Sequence, residues 1–346
     1  MLLRKLSEAI GVSGREEEVR AIILSEIRGR VDECRVDSIG NLIARKKGTG
    51  ASPLRVLAAA HMDEVGLMIT LAEDSGLLRF SRVGGIDERV LPARSVLVGE
   101  KRVPGIIGMK PVHLTDKGEK DRVIETKQLT IDIGASSRAE AERLVQRGDR
   151  AVFATDFRVC AGGASSWRTV QGKAFDDRVG CALLVELLQH RLPFDLVAAF
   201  TVQEEVGLRG ARVAAYAENP DAAIVLECTG ANEVPSKRDV SPSTRLGGGP
   251  AITVRDNSFI ADPRLVELFS ATAREMGIAH QFKQPNIGGT DAGAMQRVRA
   301  GLAAITIAVP ARYIHSPASI IDLNDYDTTL ALTREALLRL PGTLRA

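Results

Sequence analysis

The chain has only four cysteines, Cys34, Cys160, Cys181 and Cys228, and no two of them form a CxxC pair. That spacing excludes a disulfide framework or a zinc knuckle and predicts reduced thiols in a cytoplasmic protein. No apolar stretch approaches the ~20 residues that a bilayer-spanning helix needs. The opening MLLRKLSEAIGVSG also lacks an apolar core of signal-peptide length, so no membrane contact is expected. Excess charge is missing too. The 46 basic and 44 acidic side chains leave a formal +2, without the basic stripe of a nucleic-acid binder. Internal repeats and low-complexity tracts are absent. What remains is an ordinary globular composition, 45% hydrophobic and 26% charged, over 346 residues. At that length one core stops growing, and two domains are expected.

The order of periodicities places them. Ser13, followed three residues later by Glu16, reads as a capping box, with Val19, Ile22, Ile23 and Ile27 at helical spacing behind it. CRVDSIGNLIARKKG reads as a hairpin turning at Gly40-Asn41. LRVLAAA (54–60) is a continuous apolar run ending at His61, the pattern of a strand covered on both faces. From about 67 to 168, short Val/Ile/Leu segments alternate with glycines and charges, relieved only by the helical SSRAEAERLV. That texture predicts a small β-barrel-like domain, with AGGASS as the linker behind it. An α/β rhythm follows: a helix from Asp177 to about His190, a strand at 196–202, a helix near 208–217 and the strand AAIVLE (222–227). Asp262 and Pro263 open another helix. A helix from near Asp291, the strand LAAITIAVP and a closing helix near 325–339 complete the series. The expected fold class is α/β: a mixed, mostly parallel sheet flanked by helices. Residues 1–66 and 169–346 build it, and a β-rich insertion at 67–168 interrupts it.

LVAAFTVQEEVG (196–207) carries an apolar strand straight into Glu204 and Glu205. Two adjacent like charges there either face solvent or meet something cationic. His61 follows the run 54–60, Glu227 ends 222–226, and His315 lies just past 302–309. Four strands thus deliver His or carboxylate groups at their C-terminal ends, the edge where open α/β sheets bind ligands. GKAFDDRVG adds Asp176 and Asp177. HMDEVG adds Asp63, placed by an extended segment on the face of His61, where its carboxylate would accept the other imidazole N–H. Singly, each has an ordinary reading: a hydrogen-bonded structural histidine, a solvated acid pair, an Asp helix cap. His113, His190 and His280 are read in that way. Gathered at one edge, two histidines and three carboxylates instead make a ligand set for Zn²⁺, Co²⁺ or Mn²⁺. One carboxylate shared between cations ~3.5–4 Å apart would make a dinuclear centre. Glu205 would then ligate while Glu204 stays free to take a proton.

HMDEVG, GKAFDDRVG, TVQEEVG, GGTDAGAM and VPARYIHSP, in this order, resemble the motifs of the tetrahedral (TET-type) aminopeptidases. That family of cocatalytic metallopeptidases includes glutamyl and deblocking aminopeptidases and members labelled endoglucanases. The resemblance runs from LSEAIGVSGREEEVR to near the C-terminus. It implies a zinc-peptidase-like sheet and a dinuclear aminopeptidase removing N-terminal residues from peptides, with two divalent cations per subunit, Zn²⁺ or Co²⁺ with Mn²⁺ as a further choice. By position it implies His61 and Glu227 as ligands of one metal, with Asp63 behind His61. Asp176 corresponds to the bridging carboxylate, Glu205 and His315 to ligands of the second metal, and Glu204 to the general base. Asp291 corresponds to a supporting or substrate-side residue, and Asp177 to the partner of Asp176 in an unusual peptide bond. The insertion corresponds to a dimerisation domain, whose dimers commonly build a hollow twelve-subunit tetrahedron. Peptide substrates and a homo-oligomer, up to a dodecamer, are the partners it implies. The chain departs from the family pattern at Glu227, often Asp, and in TRLGGGPAI (244–252), which lacks a frequent lysine. VPSKRDVSPST is more polar than the family pattern. The residues themselves leave other readings open: a metal-dependent deacylase or carboxypeptidase, a glycoside hydrolase using Glu204 and a second carboxylate without metal, or a non-catalytic assembly protein.

Overall fold

The computed structural model describes residues 1–116, 118, 122–160, 168–233, 243–285 and 288–344. AGGASS and residues 234–242 of VPSKRDVSPST lie outside the described residues. Helices α1 (Leu2–Glu8) and α2 (Glu17–Ile27) lead into a hairpin, β1 (Glu33–Val36) and β2 (Leu42–Lys46), and then into β3 (Arg55–His61). The next strands are β4 (Gly66–Ala72), β5 (Leu78–Val83), β6 (Ser95–Val98), β7 (Val103–Gly108), β8 (Thr130–Asp132) and β9 (Arg150–Phe153), with α3 (Arg138–Leu144) before β9. The chain continues through β10 (Arg158–Val159), β11 (Thr169–Gly172), α4 (Phe175–Leu187), β12 (Asp195–Thr201), α5 (Arg209–Glu218) and β13 (Ala222–Gly230). It ends with β14 (Ala251–Thr253), α6 (Pro263–Glu275), β15 (Gln281–Phe282), α7 (Asp291–Gln296), β16 (Ala303–Arg312), β17 (Ser319–Asp322) and α8 (Leu323–Leu344).

Strands β12, β3, β13 and β16 lie side by side and parallel at the centre of the large sheet, and antiparallel strands flank them. Their residues are buried almost without a break, which requires cover on both faces because successive side chains point to opposite sides. Helices α1, α4 and α8 pack together over β3, β13 and β16, while α5 and α7 pack on each other and on β12, β13 and β16. Strands β4-β5-β8-β7-β6-β9 close an antiparallel barrel around a separate core that includes Leu67, Ile69, Val96, Ile107 and Ile131. No helix among the described residues is long and apolar enough to cross a membrane.

Local chemistry sets the start of α6 and the β1–β2 turn. Asp262 accepts the Arg264 N–H and Pro263 opens α6, as the sequence predicts. The β1–β2 turn takes Gly40 at φ 110°, and Asp37 Oδ1 accepts the N–H groups of Ile39, Gly40 and Asn41. The expected capping box does not form. Helix α2 starts at Glu17 without a side-chain cap, because Ser13 and Glu16 are buried and bonded elsewhere. The Ser13 hydroxyl donates to Asp63 Oδ2 at 2.6 Å, and Glu16 Oε1 accepts the N–H groups of Gly14 at 2.6 Å and Gln203 at 3.2 Å.

A buried ionic knot ties α1, the β3–β4 junction and α4 together. The Glu64 carboxylate receives Lys173 Nζ on both oxygens at 2.8 Å and Arg178 Nη2 at 3.0 Å. The surplus positive charge is satisfied by carbonyls: Ala9 takes Lys173 at 2.7 Å, and Leu6 and Met62 take Arg178 at 2.6 and 2.9 Å. Burial pulls Lys173 down to about 8 despite Glu64.

Candidate metal centre

The C-terminal edge of the parallel strands gathers the predicted side chains around one carboxylate. Asp176 Oδ1 lies 3.2 Å from His61 Nε2, and Asp176 Oδ2 lies 3.2 Å from His315 Nε2. Glu227 Oε2 stands 3.7 Å from His61 Nε2, and Glu205 Oε1 stands 3.3 Å from His315 Nε2. Two pairs result, His61 with Glu227 and His315 with Glu205, and one Asp176 oxygen lies beside each imidazole. Ligand atoms of His61, Asp177 and Glu227, and of His61, Asp176 and Glu205, also fall within 4.8 Å of one another. Asp177 is nonetheless committed elsewhere, accepting the N–H groups of His61 at 3.2 Å and Gly180 at 2.9 Å. The peptide bond joining Asp176 to Asp177 is cis. Glu227 reaches the site from inside β13, which runs on to Gly230. His113, His190 and His280 join neither group.

Asp63 does more than the spacing suggests: its carboxylate pairs with His61 Nδ1 and also holds the turn after β12. Strand β3 ends at His61, so the alternation of an extended chain stops there. The Asp63 backbone carbonyl lies 3.1 Å from His61 Nδ1 and its carboxylate 3.5 Å away. The carboxylate also accepts the N–H groups of Glu204 at 2.9 Å and Glu205 at 3.1 Å, besides the Ser13 hydroxyl. With Glu16 on the Gln203 N–H, two buried carboxylates hold three consecutive amides of the turn after β12, where Gln203 sits at φ 58°. Asp291 begins α7. Its Oδ2 accepts the Thr201 hydroxyl at 2.5 Å, and its buried Oδ1 accepts nothing. His315 Nδ1 meets the Gly85 carbonyl at 3.0 Å. Nothing in the sequence marks Thr201 or Gly85, and Ser13 and Glu16 carry only the signature of a cap. The last two carry a motif signal that points the wrong way; a backbone acceptor such as Gly85 carries none.

The electrostatics of this cluster call for added positive charge. Burial pushes the Glu204 and Glu227 carboxyls well above the usual range and Glu205 up to about 8, and the neighbouring acids push the same way. Burial works to keep both imidazoles neutral, yet the acids prevail. Glu204 and Glu227 raise His61, while Asp176 and Glu205 take His315 up to about 10. Against their burial, Asp176 is held low by the two imidazoles, and Asp63 is held low by His61, the Ser13 hydroxyl and the Glu204 amide. Such a set keeps protons that cations would replace. Glu205 Oε1 is buried and accepts no hydrogen bond, an oxygen left for a ligand to fill. Oxygen and imidazole donors in this number suit first-row divalent ions.

Residues 40–332 match the family model described as M42 glutamyl aminopeptidase. A putative aminopeptidase of Acetivibrio thermocellus is 39% identical, the match covering 97% of this chain and 97% of that protein. Among solved structures, a TET aminopeptidase from a marine sediment archaeon of the Thaumarchaeota superposes with a TM-score of 0.94 at 37% identity, covering 99% of this chain and 97% of the other. The TET1 peptidase of Pyrococcus horikoshii, which can assemble into a tetrahedron or a large octahedral shell, gives a TM-score of 0.85 at 39% identity over 97% and 98% of the two chains.

Proposed function

The chain belongs to the M42 glutamyl aminopeptidase family, and from that premise we propose that it removes N-terminal residues from peptides with two divalent cations. His61 and Glu227 would hold one, His315 and Glu205 the other, and Asp176 both. The observation that carries this reading is the placement of Asp176, with one oxygen 3.2 Å from each imidazole. Zn²⁺ or Co²⁺ suits the donors, and Mn²⁺ is accepted by the same set.

What the cations supply when bound is Lewis acidity, which polarises a scissile carbonyl and acidifies water. The chain's own groups do the rest. Glu204 takes a proton from the attacking water as the C–O bond forms and returns it to the amine nitrogen as the C–N bond breaks. Its burial raises the affinity of the carboxylate for that proton. Asp63 and Glu16 fix the backbone that carries it, so the carboxylate meets the reacting atoms from one position.

Residues 67–168 serve in this proposal as the dimerisation domain of a larger homo-oligomer. Ile106, Met109, Leu114 and Val123 expose apolar side chains there, as an interface surface does. The tetrahedral or octahedral shells into which the Pyrococcus horikoshii relative can assemble support a homo-oligomer, and the dodecamer formed by PhTET1 supports assembly up to twelve subunits.

Changing Glu204→Gln tests the proton-transfer role. The variant should keep two equivalents of metal and lose turnover of aminoacyl-arylamides by about 10²–10⁴-fold. Turnover within tenfold of the unaltered chain would contradict the role.

A further inference from the structure

One contact at the centre comes from outside the large sheet. The connection between β5 and β6 brings the Gly85 carbonyl to 3.0 Å from His315 Nδ1, while Nε2 of the same ring faces Asp176 and Glu205. An imidazole that binds a cation through Nε2 must carry its proton on Nδ1, and the acceptor at Nδ1 sets tautomer and ring angle. The two histidines differ in what else holds them. His61 ends a central strand and is 2% exposed, whereas the His315 side chain stands on a loop at φ 56° and is 37% exposed. The ring of His315 therefore depends more on this one acceptor. The fit is close as well. A Cβ on Gly85 would lie 3.3 Å from His315 Nδ1, and one on Gly84, at φ 80°, would lie 3.3 Å from Glu205 Cβ and 2.8 Å from Val65 Cγ1.

We propose that the Gly84–Gly85 turn of the barrel is a positioning element of the second cation half-site. It orients His315 through the Gly85 carbonyl and leaves room for Glu205 beside Gly84. The barrel then has a duty within its own subunit: it completes the His315–Glu205 half-site and leaves the His61–Glu227 half-site untouched. This inference rests on the two-cation reading.

Gly85→Ala isolates the effect, because Gly85 has an ordinary φ and the added methyl presses only on the imidazole. Chelator-stripped full-length chain and variant are titrated with Zn²⁺ by calorimetry. The first equivalent should bind the variant as it binds the unaltered chain, and the second should bind about 10–100-fold more weakly. Saturating Zn²⁺ should restore turnover. A general packing defect would weaken both equivalents alike, and that outcome, or two unchanged equivalents, overturns the proposal. Should the variant fail to fold, nitrogen-15 NMR of the Zn²⁺-loaded unaltered chain decides. A hydrogen-bonded, slowly exchanging Nδ1–H on His315 supports the proposal, and a freely exchanging one overturns it. Fewer than two equivalents on the unaltered chain would overturn the two-cation reading itself, visibly and before any variant is compared.

Discussion

Asp325 shows how much a single buried group can couple folding to pH. It is 2% exposed and accepts the N–H groups of Gly247 at 2.7 Å and Gly249 at 2.8 Å. This holds the GGG loop, in which Gly249 at φ 76° leaves no room for a side chain against the Ala279 carbonyl. Burial raises the Asp325 carboxyl to about 6, against the two amides and with the help of Asp322 and Glu233. In the unfolded chain it titrates near 3.9. The folded state thus binds this proton more tightly, so the group's share of stability is full below about pH 4 and is lost as pH rises through about 6. Asp325→Asn never ionises. Its destabilisation relative to the unaltered chain should shrink by about 2 kcal/mol between pH 4.5 and pH 7.5, read from urea midpoints of metal-free protein. Equal destabilisation at both pH values would contradict the assignment. At this scale the sequence identifies chemistry better than geometry. Asp63 is legible as a companion of His61 because they are two apart. That its carboxylate serves Glu204 and Glu205 is not, since those amides lie 141 and 142 residues away. Ser13 and Glu16 mislead because the capping pattern is local and the contacts that displace it are tertiary.

Secondary elements explain why the site sits where it does. Uninterrupted apolar runs mark β3, β12, β13 and β16 in the sequence, and a parallel arrangement puts their C-terminal ends on one edge. Those runs, and the Asp262-Pro263 start of α6, are legible because the signal is contiguous. The ionic knot of Glu64, Lys173 and Arg178 is not, since Glu64 meets Lys173 across 109 residues. The knot fixes the segment leading into Asp176 against the junction that follows His61. Glu64→Gln would leave two buried cations facing a neutral acceptor and should cost about 3–5 kcal/mol of unfolding free energy. Urea denaturation of metal-free protein checks this, and a change below about 1 kcal/mol would show the knot to be dispensable.

Among the described residues, two hydrophobic cores flank the cluster around Asp176. A barrel between β3 and β10 is legible from texture alone, because short glycine-punctuated strands read differently from the α/β runs around them. Its contact with His315 escapes the sequence because a backbone carbonyl makes it. The same holds for the pairing of His61 with His315 across Asp176, which depends on five distant segments closing on one edge. The proposed metal centre stands or falls on that closure. Anomalous X-ray scattering from crystals grown with Zn²⁺ tests it most directly. Two peaks per chain are expected, ~3.5–4 Å apart, one beside His61 and Glu227, the other beside His315 and Glu205, with Asp176 touching both. A single peak, or a pair that leaves Asp176 untouched, would contradict it.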